Sequence, residues 1–330
     1  MGRRLMASCP MDIKGSFGGY MDPARWLFFI AAIVILGLFL FLRSEWEKRH
    51  FKTEHYSIKT KKLFSGIRIV FISDMHSHEF GEHNEELIRE IKTLGPDLIL
   101  IGGDMVTCGK KSPQPPRTSA CIHLCEELSR DYPVIYAEGN HELRFRQRFP
   151  EDFQVFMEHL SQNPGLKYLR DDLSFFNKED LGSGMKESIA VMSVSLDMEY
   201  YMPQKPGFGN KKAMPKAYLE DKLKEALNEA GPLDGVFSVL LLHSPLYLKE
   251  AECLGADLML SGHFHGGTIR LPYVGGLMTP QLQFFTKEVS GSFEHGGTAM
   301  IVNRGLGTHS VKIRLNDRPE ISVIDISPLG

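Results

Sequence analysis

Five short runs of aliphatic and β-branched residues, each leading to an acid, an amide or a histidine, constrain this chain more than any other feature. IRIVFIS precedes Asp74, DLILIGG precedes Asp104 and PVIYAEG precedes Asn140, while VFSVLLL precedes His243 and ADLMLSG precedes His263. None alternates strictly between apolar and polar residues, so each reads as a strand buried on both faces, with helices packed over the sheet. Sites in such sheets lie beyond the carboxyl ends of the strands, where loops converge on one edge. Residues as distant as Asp74 and His263 are therefore expected to meet. Asn84 to Leu94, stopped by Gly95-Pro96, and Lys216 to Ala230, stopped by Gly231-Pro232, carry helix signals. Pro113, Pro115 and Pro116 mark a loop after the second run.

The residues after these runs share one chemistry. Asp74 and His76 stand in DMH, where strand alternation would turn both side chains the same way. Asp104 ends GGD, whose glycines permit a tight turn; Asn140 and His141 lie in GNHE, His243 in LLHSP, and His263 and His265 in GHFHGG. Oxygen and imidazole donors without thiolate suit Mn²⁺, Fe²⁺ or Zn²⁺ rather than a structural zinc or a calcium site. Each motif alone is common; their order, each after an apolar strand, is specific.

Other classes are set aside by composition. A net charge of -3 and a pI near 6.5 give no general footprint for nucleic acid. The five cysteines (Cys9, Cys108, Cys121, Cys125 and Cys253) are odd in number and scattered, so they suggest no disulfide framework. Cys121 and Cys125 read as idle thiols rather than a zinc pair. No phosphate-binding loop of the Walker type is present, and no protein partner is evident.

Trp26 to Leu42 (WLFFIAAIVILGLFLFL) is uncharged and flanked by Arg25 and Arg43. It is apolar on every helical face and spans roughly 25 Å, close to the minimum for a membrane crossing. RSEWEKRH after it offers no small-residue cleavage site, which favours a retained anchor over a signal peptide. Arg43, Lys48, Arg49, Lys52, Lys59, Lys61 and Lys62 follow the run, against Arg3, Arg4, Lys14 and Arg25 before it. The positive-inside tendency then puts the C-terminal part in the cytoplasm, on a single-pass protein of the inner membrane. The expected divisions are a tail (1–25), an anchor (26–42), a linker with a first strand (43–66) and a catalytic domain (67–330). Met21 is an alternative start.

DMH, GGD, GNHE, His243 and GHFH together resemble the calcineurin-like metallophosphoesterase superfamily, from about residue 67 to the C-terminus. The resemblance implies an α/β fold: a four-layer α/β/β/α sandwich of two mixed β-sheets flanked by helices. It also implies two divalent metal ions, with Mn²⁺ the first choice and Fe²⁺ or Zn²⁺ the alternatives. Asp74, His76, Asp104 and His265 would hold the first, and Asp104, Asn140, His243 and His263 the second. His141 matches the histidine that donates to the phosphate or leaving group. The family's usual GDxxD ends here as GDMVT, so Thr107 leaves support around the ligands unassigned.

SGHFHGGTIRLP and IVNRGLGTHSVKIRLNDRPEI resemble strings of membrane-associated phosphodiesterases in the superfamily. A similar anchored architecture occurs in bacterial UDP-2,3-diacylglucosamine hydrolases. That likeness implies cleavage of a lipid-linked sugar nucleotide to UMP and 2,3-diacylglucosamine 1-phosphate, as in lipid A synthesis. Soluble enzymes of that step carry GNRD where this chain has GNHE, so the analogy is to another branch. The alternative is a phosphodiesterase for other phospholipid or nucleotide diesters. Arg144, Arg146 and Arg148 are candidate ligands of substrate phosphate. Phe145, Phe149, Phe153, Phe156 and Leu160 are read first as a core stripe and second as a lipid contact. The segment 198–215 is a candidate lid or membrane-contact loop.

Overall fold

The computed structural model of the chain describes residues 22–179, 186–202, 211–271, 273–279, 283–308 and 312–329. The tail through Met21, with Cys9, and the middle of the segment 198–215 lie outside the described residues. The chain divides into two units, residues 1–42 and 43–330. In the first, the apolar run is helical and exposed all round, within α1 (Pro23–Arg49). That helix is long and apolar enough to cross a membrane.

The second unit contains the last turns of α1, and they are built into it. Glu47 and Ser44 are buried. Glu47 Oε2 accepts from the Asp317 amide at 2.9 Å and Ser44 Oγ from the Arg314 amide at 3.0 Å. Next come β1 (Lys52–Thr60), β2 (Ile67–Ile72), β3 (Leu98–Ile101), β4 (Val134–Ala137), β5 (Leu166–Leu169), β6 (Asp172–Glu179) and β7 (Lys186–Ser193). They are followed by β8 (Phe237–Leu241), β9 (Leu258–Ser261), the short hairpin β10 (Arg270–Leu271) and β11 (Gly275–Gly276), β12 (Gly291–His295), β13 (Thr298–Val302) and β14 (Glu320–Pro328). The helices are α2 (Glu85–Leu94), α3 (Ser119–Ser129), α4 (Asn140–Arg148), α5 (Pro150–Ser161), α6 (Tyr218–Ala230) and α7 (Leu248–Ala251).

Among the described residues there are two six-stranded sheets, ordered β1-β14-β2-β3-β4-β5 and β12-β13-β9-β8-β7-β6. Strands β2 to β5 run parallel, as do β7, β8, β9 and β13. Ile72, Ile101 and Tyr136 stand level, so β2, β3 and β4 deliver their loops to one edge. Leu241 and Leu260 do the same in the second sheet.

Alternation along each strand divides its side chains between two cores. In β2, Ile69 and Phe71 face the second sheet, meeting Val191, Val239 and Leu260; Val70 and Ile72 face α2, α3 and α5. In β8, Val239 and Leu241 face inward while Leu240 packs towards α6. This is the expected four-layer sandwich, and double burial explains why the runs are apolar without interruption.

Both expected helices form, with one difference at a terminus. Gly95 closes α2 in the left-handed conformation, as its sequence position predicts. Asn84 does not cap α2; it is itself left-handed, and its Oδ1 accepts from the Phe80 amide at 3.0 Å. Cys121 and Cys125 are buried thiols in α3.

The phenylalanine stripe belongs to the core. Phe145, Phe153, Phe156 and Leu160 are buried beneath the first sheet's helices, with Phe145 packed 5.4 Å from Phe153 and 5.9 Å from Phe156, ring to ring. Phe156→Ala is expected to lower stability by about 3–5 kcal/mol, the usual cost of emptying a buried aromatic site. Urea unfolding of the detergent-solubilised protein measures it; a change under about 0.5 kcal/mol, typical of a surface site, would return the stripe to a lipid-contact role.

Candidate metal centre

Three of the five ligand-bearing loops, after β2, β3 and β9, leave their strands through left-handed residues. Asp74 and His76 have φ 51°, Asp104 has 54°, His263 has 69° and His265 has 47°. That conformation costs a non-glycine residue about 1–2 kcal/mol, and such strain tends to collect at functional sites. Asp74 and His76 therefore meet through a turn, not through strand alternation, with His76 Nε2 3.8 Å from Asp74 Oδ1. The GGD and GNHE loops cross backbone to backbone. A Cβ on Gly103 would overlap Gly139, and one on Gly139 would overlap Asp104.

The two aspartates are buried and built alike. Asp74 Oδ2 accepts from Ser73 Oγ at 2.7 Å and from the His263 amide at 2.9 Å. Its Oδ1 has no hydrogen-bond partner and faces His265 Nε2 at 3.4 Å and His243 Nε2 at 3.8 Å. Asp104 Oδ1 accepts from the His141 amide at 2.7 Å, leaving Oδ2 3.1 Å from His243 Nε2 and 3.9 Å from His76 Nε2. One oxygen of each carboxylate is committed to protein, and the other is presented to imidazoles.

Hydrogen bonds on the far side of the rings sort the histidines. His243 Nδ1 lies 2.7 Å from the Gly102 carbonyl and His265 Nδ1 3.3 Å from the Gly307 carbonyl. Only a protonated Nδ1 satisfies a carbonyl, so in the neutral form of each ring Nε2 is the nitrogen left to offer a lone pair towards the centre. His141 is the reverse. Its Nδ1 accepts from the Cys108 amide at 2.8 Å, so its neutral ring has the proton on Nε2. His76 Nε2 and His265 Nε2 stand 3.1 Å apart, and Tyr201 packs edge-on against His263.

Asp74, His76 and His265 form one compact donor group; Asp104, His243 and His263 form a second, and His76, Asp104 and His141 a third. Asn140, at the start of α4 beside His141, is buried with an unpartnered Oδ1. Buried oxygens without partners among inward-facing imidazole nitrogens are costly in a dry interior, and a cation removes the cost. The donor set therefore fits a dinuclear centre of divalent metal.

Burial pushes the Asp74 carboxyl up to about 6, with the Asp104 charge adding to the effect against His243, Ser73 and the His263 amide. Burial also acts on Asp104, but His243, His141 and His76 outweigh it and hold that carboxyl well below the usual range. For His243, burial opposes protonation, yet Asp104 and Asp74 raise it to about 10.

Sequence reasoning left Glu142 without a role, although it closes the GNHE motif. Its buried carboxylate accepts from the amides of Asp104 and Met105, both at 2.8 Å, from Gly139 at 3.1 Å and from Tyr136 Oη at 2.8 Å. It holds the GGD turn from behind, the support that Thr107 left unassigned. The three arginines all have protein partners. Arg144 donates to the Cys108 carbonyl at 2.7 Å, Arg146 pairs with Glu138 at 3.1 Å, and Arg148 donates to the Gly109 and Ser112 carbonyls.

Residues 67–267 match the calcineurin-like phosphoesterases. The chain belongs to this family. It is thus a metal-dependent phosphohydrolase. It is similar to the uncharacterized metallophosphoesterase YkuE of Bacillus subtilis, at 27% identity over 85% of this chain and 87% of the relative. It is also similar to the phosphodiesterase YaeI of Escherichia coli, at 25% over 78% and 82%. The UDP-2,3-diacylglucosamine pyrophosphatase LpxG of Chlamydia trachomatis shares 23% identity over 78% of this chain and 83% of its own.

Without metal, the centre should become less stable as pH rises. Asp74 keeps its proton in the folded state up to about 6 but loses it near 3.8 when unfolded, so stability falls across that interval. His243 contributes stability below 6.5 that is lost towards about 10. The midpoint of thermal unfolding in chelator should drop from pH 5 to 8, and the gain on adding Mn²⁺ should grow over the same range. A metal-free midpoint rising from pH 5 to 8 would contradict this.

Proposed function

We propose that the protein is a membrane-anchored, dinuclear-metal phosphodiesterase acting on a lipid-linked phosphoanhydride, with UDP-2,3-diacylglucosamine the first substrate to test. The observation that carries the reading is the opposition of tautomers: in the neutral form His243 and His265 offer Nε2 lone pairs, while His141 offers an N–H. Asp74, His76, Asp104 and His265 would hold one metal, and Asp104, Asn140, His243 and His263 would hold the other. Mn²⁺ is the first choice for both. When bound, such a pair supplies Lewis acidity towards water and the phosphoryl oxygens.

The chain's own groups do the rest. Asp104 reaches both donor groups through the Oδ2 that its other oxygen leaves available. His141 Nε2–H donates to the departing oxygen, and the Cys108 amide keeps that proton on the inner nitrogen. Glu142 fixes the turn that aims Asp104. Arg144 and Arg148 bind the carbonyls of Cys108 and Gly109, steadying the loop whose amide sets the His141 tautomer.

The retained anchor is supported by the continuity of α1. Cleavage just beyond the apolar run would fall in a helix whose Ser44 and Glu47 are buried hydrogen-bond acceptors. The basic residues that follow the run favour a cytoplasmic catalytic unit. LpxG, named for UDP-2,3-diacylglucosamine, supports the lipid-linked substrate. YaeI, named a phosphodiesterase, supports a second reading: hydrolysis of other phospholipid or nucleotide diesters.

His141→Ala should keep metal, measured by elemental analysis, and reduce kcat by about 10²–10⁴, the range for losing a positioned proton donor. Asp104→Ala should lose metal and activity together. Metal loss in His141→Ala would assign that residue to the ligand set instead. For the substrate, detergent-solubilised protein with Mn²⁺ should convert UDP-2,3-diacylglucosamine to UMP and the lipid phosphate, with Asp104→Ala inactive. Cleavage of simple diesters alone would leave the phosphodiesterase and remove the lipid-linked substrate.

A further inference from the structure

A cavity of about 400 Å³ opens beside His76, and the last turns of α1 form part of its wall. Lys48, Arg49 and Lys312 line it against a single carboxylate, Glu45. Glu45 is already engaged, at 2.5 Å from Lys48 Nζ, and that ammonium also reaches the Lys312 carbonyl at 3.3 Å. Among the described residues neither Arg49 nor Lys312 has an ion-pair partner, and both are exposed. The cavity is therefore cationic in balance, and His76 of the metal centre is among its lining residues.

Two further observations point the same way. The end of α1 that carries Lys48 and Arg49 is fixed in place, because Ser44 and Glu47 bury it against the Arg314 and Asp317 amides. Thr107 also lines the cavity. It stands at the last position of GDMVT, where the family's usual motif has aspartate. An aspartate there would put a carboxylate on this wall and cancel one of the cations. The departure that looked like lost support at the metal ligands is instead a change of charge in the adjoining cavity.

We propose that this cavity is a subsite for a second phosphate of the substrate, so that the enzyme prefers diphosphate diesters to single-phosphate diesters. This rests on the phosphodiesterase reading and deepens it. The reacting phosphate lies at the metal centre, and its non-reacting neighbour is held by Arg49, Lys312 and Lys48. The required ligand chemistry is a phosphoanhydride, whether carried by a soluble nucleotide or by a lipid-linked one.

The test compares kcat/KM of the full chain in detergent, with Mn²⁺, on bis(p-nitrophenyl) phosphate, ADP-ribose and CDP-diacylglycerol. A preference for a diphosphate should fall about tenfold in Thr107→Asp and in Arg49→Glu/Lys312→Glu, mainly through KM, the scale of one charge-assisted contact. An unchanged ratio in both variants would overturn the subsite. Cleavage of both diphosphates identifies the shared anhydride as sufficient; cleavage of CDP-diacylglycerol alone identifies a lipid-linked source. A second readout is independent of turnover. Inorganic pyrophosphate should raise the thermal midpoint of the Mn²⁺-loaded protein more than inorganic phosphate does, and Thr107→Asp should abolish the difference. If wild type hydrolyses neither these three nor UDP-2,3-diacylglucosamine, the phosphodiesterase reading fails, and the pyrophosphate shift still decides the subsite: an equal effect of the two anions overturns it.

Discussion

The structure depends on how two buried carboxylates are satisfied at the edge where the sheets meet. A charge removed from water must find hydrogen bonds and counter-charge, or it destabilises the fold by several kcal/mol. Asp74, after β2 of the first sheet, takes the amide of His263, after β9 of the second. His243, after β8, returns the connection by facing Asp104 and bonding the Gly102 carbonyl after β3. The hydrophobic layer between the sheets brings these loops close, and the polar contacts fix their register. Stability and ligand geometry at this edge are thus one problem with one solution.

The same economy extends behind the ligands. Arg314, fully buried, donates to the carbonyls of Arg304, Gly305 and Gly307. The Gly307 carbonyl is also the partner of His265 Nδ1, and the Gly307 amide bonds the Asp74 carbonyl. Arg314 in turn is tied through its own amide to Ser44. The end of the N-terminal helix, a C-terminal loop and two residues of the centre therefore form one continuous set of hydrogen bonds. Removing any member leaves a buried backbone group unpaired, at about 1–3 kcal/mol each.

The fold class and the inward-facing residues were legible because strands buried on both faces have an unambiguous composition, and their sites follow at the carboxyl ends. IRIVFIS, DLILIGG, PVIYAEG, VFSVLLL and ADLMLSG became β2, β3, β4, β8 and β9. What escaped was set by contacts distant in sequence. Asn84 has a capping residue's identity but spends its side chain on Phe80. Glu142 looked like the tail of a motif, and only the folded chain reveals that it collects the amides of the preceding loop. The signal was there in principle: a carboxylate three residues into a helix, next to a turn rich in unpaired amides. His141 and His243 are indistinguishable as letters, and the partner of Nδ1 separates them.

Thr107 illustrates how a departure from a motif should be weighed. A missing acid next to metal ligands suggests weakened support, because surrounding carboxylates usually orient histidines. Here the orienting groups are carbonyls of Gly102 and Gly307, and the GGD turn is held by Glu142. An acid at 107 is not needed for either task. Its side chain would instead point its charge at the cavity occupied by Lys48, Arg49 and Lys312, where it would compete with any anion. The threonine at 107 and the three cations Lys48, Arg49 and Lys312 act in the same direction on the same space. Features that are separate in the sequence thus combine into a single electrostatic character of the surface next to His76.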